Sequence, residues 1–210
     1  LIPLRAGDGS IDSNKLLVQR SIEAAQDARY VNRILVSTEC EQLAAMAHSY
    51  GAEVPFLRPV EFAAPKVRVD EAMAYFLGQL ESEGYLPDIV VPLEINYPFR
   101  PEGLLDGVIE LLIREGADTV IAGLPEYRPC WEKIRQHYEP IATMDLARED
   151  RDPIHVGLPS LACATYPNIL RQGSRMLGSV GIYEINDRLA GVEVRSKEDL
   201  LWAAKILAVK

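Results

Sequence analysis

Arg5 and the small residues behind it, Gly7, Gly9, Ser10 and Ser13, are of the types that hold an anion. A guanidinium offers a planar fork of donors suited to phosphate or carboxylate. Glycine lets the main chain approach phosphate oxygens closely and take a positive φ without a Cβ penalty. The apolar run at 1–4 reads as a buried strand, and an amphipathic run of helical character begins shortly after the glycines. Strand, glycine-bearing turn and helix in that order aim N–H groups and a helix N-terminus at one point, where phosphate can sit. An ordinary βα loop shares this layout, and the spacing fits neither a P-loop nor G-x-G-x-x-G.

Two further sets of residues have chemistry to offer. Glu39, Glu94 and Glu193 each follow an apolar run, and their convergence would hold a divalent cation, since Mg²⁺ takes a few carboxylates together with substrate phosphates. Glu193 fits equally an alternating strand with one solvated acid. Arg58 and Arg100 each adjoin a proline after a strand-like run, and with Arg5 they would form an anion clamp. His48, His137 and His155 are far apart, so no Ser-His-Asp or Cys-His arrangement is legible. Cys40 and Cys163 read as small core residues on apolar faces.

These residues need elements to place them. Apolar spacing predicts helices at 17–28, 39–50 (stopped by Gly51) and 69–83 (entered through Asp70 and Glu71). A fourth is expected at 101–115, with Pro101 at its first position and Gly116 beyond its end. Strands are expected at 33–37, 88–94 and 118–122, with 52–57 extended and Pro92 marking an edge or a bulge. The pattern breaks at 124–158, where Pro125, Pro129, Pro140 and Pro153 interrupt a stretch holding Tyr127, Trp131 and Tyr138. With no period of its own, that stretch reads as a lid or an oligomer contact. A strand at 161–166, a short helix from Pro167 and extended pieces at 180–185 and 192–194 follow. Ser196-Lys-Glu-Asp199 resembles a capping box opening a last helix, 197–209. Alternating strands and helices imply right-handed crossovers, hence an α/β chain with a doubly wound, mostly parallel sheet. Ligands in such sheets sit at the carboxyl ends of strands, here Arg5, 37–39 and 94–100.

Composition narrows the field. The 210 residues, 48% of them hydrophobic, make one domain (1–210) with a small excursion. The net charge of −9 argues against a nucleic-acid partner. Three widely spaced cysteines without C-x-x-C fit a reducing cytoplasm and neither a disulfide framework nor a zinc site. No apolar run approaches the roughly 20 residues of a membrane span, and the apolar start lacks the basic leader of a signal peptide.

Several segments then carry a resemblance: Ser21-Ile-Glu-Ala-Ala25, Arg33-Ile-Leu-Val-Ser-Thr-Glu39, Tyr50-Gly-Ala-Glu-Val-Pro-Phe-Leu-Arg-Pro59 and Tyr97-Pro-Phe-Arg100. With Val192-Glu-Val-Arg-Ser-Lys-Glu-Asp199 they resemble the acylneuraminate (CMP-sialic acid) cytidylyltransferases, nucleotide-diphospho-sugar transferase-like in fold, over nearly the whole chain. The resemblance implies transfer of CMP from CTP to a nine-carbon α-keto acid sugar, with Mg²⁺ and release of pyrophosphate, in a cytoplasmic homodimer whose arm is the excursion at 124–160. It places Arg5, Ala6, Gly7, Asn14, Lys15 and Arg58 at the nucleotide, with Arg5, Lys15 and Glu193 catalytic. It puts Glu94, Asn96 and Arg100 at the sugar and Glu193 at the metal. The chain departs from the family at telling places: Gly9 and Asn14 stand for two lysines, and several residues are lacking after Lys15. Arg195 stands for the second metal aspartate, and Glu94 for the sugar-site glutamine. An arginine cannot coordinate Mg²⁺, and a glutamate repels a carboxylate. A non-catalytic paralogue that keeps the dimer and a nucleotide-like pocket is the alternative, and a glycosyltransferase-like domain a third.

Overall fold

The computed structural model describes residues 10–64, 66–141, 147 and 150–207, without the side chains of 10–16. The expected first strand and glycine turn, with Arg5, Ala6 and Gly7, fall outside the described residues.

The core forms around the helix with the clearest amphipathic pattern, Leu104–Glu115. It buries Leu104, Leu105, Val108, Ile109, Leu111 and Leu112 along one side. These pack with Val120 and Ala122 of the strand Thr119–Glu126 and with Leu161, Ala162 and Ala164 of the strand Ile154–Thr165. Gly103 precedes this helix at φ 73°, a backbone state that glycine adopts readily, so the helix starts at Leu104 and Pro101 lies outside it.

In chain order the helices are α1 (Ser10–Gln26), α2 (Glu41–Ser49), α3 (Val69–Ser82), α4 (Leu104–Glu115), α5 (Pro167–Leu170) and α6 (Lys197–Leu207). The strands are β1 (Thr119–Glu126), β2 (Trp131–Ile134), β3 (His137–Pro140), β4 (Ile154–Thr165) and β5 (Val180–Glu184). Strand β1 is central, antiparallel to β4 and parallel to β5. The buried Thr119 and Thr165 hydroxyls meet at 2.7 Å across the β1–β4 pair.

Several expected elements differ. Segments 33–37 and 52–57 meet in one parallel bridge, Leu35 to Glu53, and 88–94 contributes one antiparallel bridge, Val90 to Thr165. Pro92 has no N–H with which to extend that ladder. Helix α1 begins at Ser10, so Asn14 and Lys15 lie in a helix and not in a turn ahead of one. Residues 192–194 form no strand; the Val194 N–H donates to the Asn96 carbonyl at 2.8 Å. The excursion is more regular than expected. Strand β1 runs on to Glu126, β4 starts at Ile154, and β2 with β3 makes an antiparallel hairpin. All the hairpin's residues are exposed, so no face needed the apolar alternation by which strands are read. Cys40 is exposed ahead of α2, while Cys163 is buried, and burial pushes its thiol up to about 12.

Two smaller clusters attach the remaining helices. Val18 and Ile22 of α1 pack with Ala47 and Ala52, and Leu200 and Ala203 of α6 pack with Leu17, Phe99 and Val194. Ile95 touches both clusters, which fixes the segment between Glu94 and Asn96. Among the described residues no helix is long and apolar enough to cross a membrane.

Candidate active site at the strand ends

The site begins with an irregularity in β4. Ile121 pairs with Cys163, but its neighbour Ala122 pairs with Leu158, so residues 159–162 bulge out of the β1 ladder. Polar groups freed in this way need other partners. The Ser160 carbonyl accepts from the Glu94 N–H at 3.0 Å, and the Leu161 carbonyl accepts from Arg100 Nε at 2.8 Å. The bulge thereby faces the end of segment 88–94.

Arg100 lies beneath that contact. Beyond Leu161, Nη1 donates to Ser21 Oγ and the Tyr97 carbonyl, each at 2.9 Å, and Nη2 donates to the carbonyls of Glu94 and Ser160. All five guanidinium N–H groups are thus committed internally. Burial pushes its pKa down to about 10, which leaves it a cation at neutral pH. Its geometry is that of a strut, and the expected opening of Arg5, Arg58 and Arg100 onto one cleft is not what Arg100 shows.

Glu94 is held from two sides. The Ser160 hydroxyl donates to Oε1, and Arg175 Nη2 donates to the same oxygen at 3.0 Å. Arg175 is itself buried. Its Nε lies 3.0 Å from Asp70 Oδ1, an ion pair not aligned as a hydrogen bond, and its N–H donates to Asp70 Oδ2 at 3.3 Å. A cation between two carboxylates makes this cluster tolerable at low exposure.

Asn96 and Glu193 also come together. Asn96 Nδ2 donates to Glu193 Oε1 at 2.5 Å, and Arg195 Nε lies 2.7 Å from Glu193 Oε2. Tyr97, next to Asn96 in the chain, is buried. Its phenol is pushed up by burial first, then by the charges of Glu193 and Glu94.

Arg58 belongs to a separate group. Its N–H donates to the Thr38 carbonyl at 2.8 Å, and its Nη2 pairs with Glu39 Oε2 at 2.5 Å. Partial burial pushes the Glu39 carboxyl up, but the Arg58 guanidinium and the main-chain N–H of Glu39 act together against it and the net shift is down. Arg58 Nε and Ser37 Oγ are buried without a hydrogen-bond partner among the described residues, as are Asp70 Oδ1 and Asn96 Oδ1. Buried polar atoms left open at a strand end mark a place that a ligand can complete.

Of the residues expected from the sequence, the structure pairs Asn96 with Glu193 and Arg58 with Glu39, and it holds Glu94 separately through Ser160 and Arg175. The three glutamates each have a different arginine, and no group of three acids, histidines or cysteines converges among the described residues. Ser160 and Arg175 were missed. A charge-balance argument could have asked for a cation near Glu94, but nothing in the sequence picks Arg175 from the other arginines. For Mg²⁺ the residues offer the Glu193 carboxylate and, in Asn96 Oδ1, a buried hard oxygen with no donor. That fits an ion whose other ligands are substrate phosphates and water.

No family model matches the chain. It is similar to CMP-N,N'-diacetyllegionaminic acid synthase from Legionella pneumophila, at 28% identity over 62% of this chain and 60% of that protein. It is also similar to post-translational flagellin modification protein B from Campylobacter coli, at 27% identity over 53% of this chain and 48% of the relative. The matches thus span less than two thirds of either relative. Among solved structures, a CMP:2-keto-3-deoxy-manno-octonic acid synthetase complexed with CTP superposes with a TM-score of 0.67. It is 13% identical, over 91% of this chain and 87% of that one. The 4-diphosphocytidyl-2C-methyl-D-erythritol synthase of Anaerococcus prevotii gives 0.66 at 10% identity, over 91% and 89%. The chain thus shares the α/β fold of these solved structures, the fold class that the alternation of strands and helices led us to expect.

Proposed function

We propose that this chain transfers CMP from CTP to a sialic-acid-like nonulosonic acid. The anomeric oxygen forms a bond to the α-phosphorus of CTP, the bond from that phosphorus to the bridging oxygen breaks, and pyrophosphate leaves. The proton of the acceptor hydroxyl passes to solvent. The observation that carries this reading is the pairing of Asn96 with Glu193 just past the end of segment 88–94, where Glu94 is held by Ser160 and Arg175, in a chain similar to a CMP-N,N'-diacetyllegionaminic acid synthase. Arg5, Ala6, Gly7, Asn14 and Lys15 are assigned to the nucleotide phosphates. Arg58, with its open buried Nε, is assigned to the cytidine. Glu193 and Asn96 would hold Mg²⁺, which when bound neutralises charge developing on the triphosphate. We assign the β2–β3 hairpin to a homodimer contact, and the three free cysteines fit a cytoplasmic location.

A second reading has one observation in its favour. Arg195 occupies Glu193 Oε2, so its guanidinium could neutralise an anionic ligand without metal, as in a non-catalytic nucleotide-binding paralogue. Pyrophosphate release from CTP, assayed over a panel of nonulosonic acids with and without Mg²⁺, separates the two. Metal-dependent release supports the transferase. Silence across the panel from folded protein moves the assignment to the paralogue.

A further inference from the structure

We propose that Glu94 determines acceptor specificity, with Arg175 and Ser160 as positioning residues that make it read a hydrogen-bond donor on the sugar. The inference rests on the reading of this site as one for a sugar acid. Both positioning groups engage the same oxygen: Ser160 Oγ and Arg175 Nη2 donate to Oε1, the latter at 3.0 Å. Oε2 accepts no hydrogen bond among the described residues, and the side chain is 27% exposed. The group offered to a ligand is therefore a bare carboxylate oxygen, an acceptor only. A hydroxyl or an acylamido N–H complements it, whereas the carboxylate of a sugar acid does not. That carboxylate must lie elsewhere in the bound sugar.

Arg175 has little freedom to change this. Its side chain is 7% exposed and is tied to Asp70 at 3.0 Å, while Nη1 points to the Pro159 carbonyl at 3.5 Å. A guanidinium has donors and no acceptor. An amide at position 94 would have to turn its oxygen towards Arg175, because two N–H groups cannot pair. The NH₂ would then face the ligand, and the site would present a donor where it now presents an acceptor. The polarity of the acceptor site is thus written in Arg175 as much as in residue 94.

Two substitutions in the full chain separate this from simple repulsion of an acidic sugar by Glu94. With the nonulosonic acid that the wild type turns over best, Glu94→Ala should raise the acceptor KM about tenfold, through loss of a charge-assisted hydrogen bond. Glu94→Gln, though isosteric, should raise it at least as much, with the CTP KM and Tm unchanged. An acceptor KM for Glu94→Gln at or below the wild-type value would overturn the proposal, because repulsion alone predicts tighter binding. A second readout needs no turnover: in ¹⁵N-glutamine-labelled Glu94→Gln protein, the Gln side-chain NH₂ protons should exchange freely with solvent. Protected protons would overturn the assigned polarity. A wild type that accepts no sugar, with exchange as expected, would instead overturn the proposed reaction and leave the Arg175 orientation standing.

Discussion

Every N–H of the Arg100 guanidinium is used inside the protein, and four of its five acceptors are main-chain carbonyls, of Glu94, Tyr97, Ser160 and Leu161. Lysine keeps the charge but has three donors and no planar fork. Arg100→Lys should therefore leave buried carbonyls open and destabilise the chain by about 2–3 kcal/mol, read as a lower urea midpoint. An unchanged midpoint would remove Arg100 from the role of strut. Glu193 is the opposite kind of residue, held by two side chains and free to change partners. Glu193→Gln should cut turnover on the order of 10²-fold without shifting the urea midpoint. Arg195→Ala should lower the Mg²⁺ concentration for half-maximal activity, since Arg195 now takes Glu193 Oε2 and its own side chain is 75% exposed. A midpoint of Mg²⁺ activation unaffected by Arg195→Ala would argue against Glu193 as a metal ligand.

Helix α6 shows how an element can be fixed by its first turn. The Ser196 N–H donates to Asp199 Oδ2 at 2.9 Å, and the Asp199 N–H donates to Ser196 Oγ at 3.1 Å, a reciprocal cap. Ser196→Ala should cost about 1 kcal/mol. The main-chain N–H of Arg195 first, then the Ser196 hydroxyl, hold the Asp199 carboxyl below the usual aspartate range. A depressed folded-state pKa gives stability that is full above the unfolded value, about 3.9, and is lost as pH falls through the folded one. Asp199→Asn should flatten the acid limb of the stability curve and leave a constant offset near neutrality. This cap was legible in Ser196-Lys-Glu-Asp199 because capping is local, and α4 was legible because its apolar period is clean. Segment 88–94 was misread in extent because Ile89, Val91 and Leu93 are core-packed without a continuous ladder. Burial leaves its mark in a sequence, but hydrogen-bond partners do not. Ser160 escaped for the same reason. It reaches Glu94 only through a register shift between Ile121 and Ala122, which no residue type announces. Arg58, by contrast, was visible in its Leu-Arg-Pro setting, and only its pairing with Glu39 needed coordinates.

For the molecule as a whole, the unexplained feature is the β2–β3 hairpin. Its strands bury nothing against their own domain, and Trp131 and Tyr138 are 52% and 64% exposed, with Ile141 beyond at 55%. An isolated two-stranded hairpin is marginal in water. Arg135 at φ 56° supplies the turn, but turn geometry alone does not stabilise such a ribbon. Burial of these side chains on a second copy would contribute at about 25 cal/mol per Å², and large aromatic residues are the usual anchors of such contacts. With a net charge of −9 on each copy, the contact should be apolar at its centre and strengthened by salt. We therefore expect a homodimer by light scattering, with Trp131→Ala and Tyr138→Ala together raising its dissociation constant by ~10-fold or more. The double variant should keep the wild-type unfolding midpoint when measured as a monomer, because neither side chain is part of the core. A wild type that is monomeric at working concentration would show that the hairpin serves some other surface. A double variant that loses its fold would show that the hairpin packs on its own domain instead.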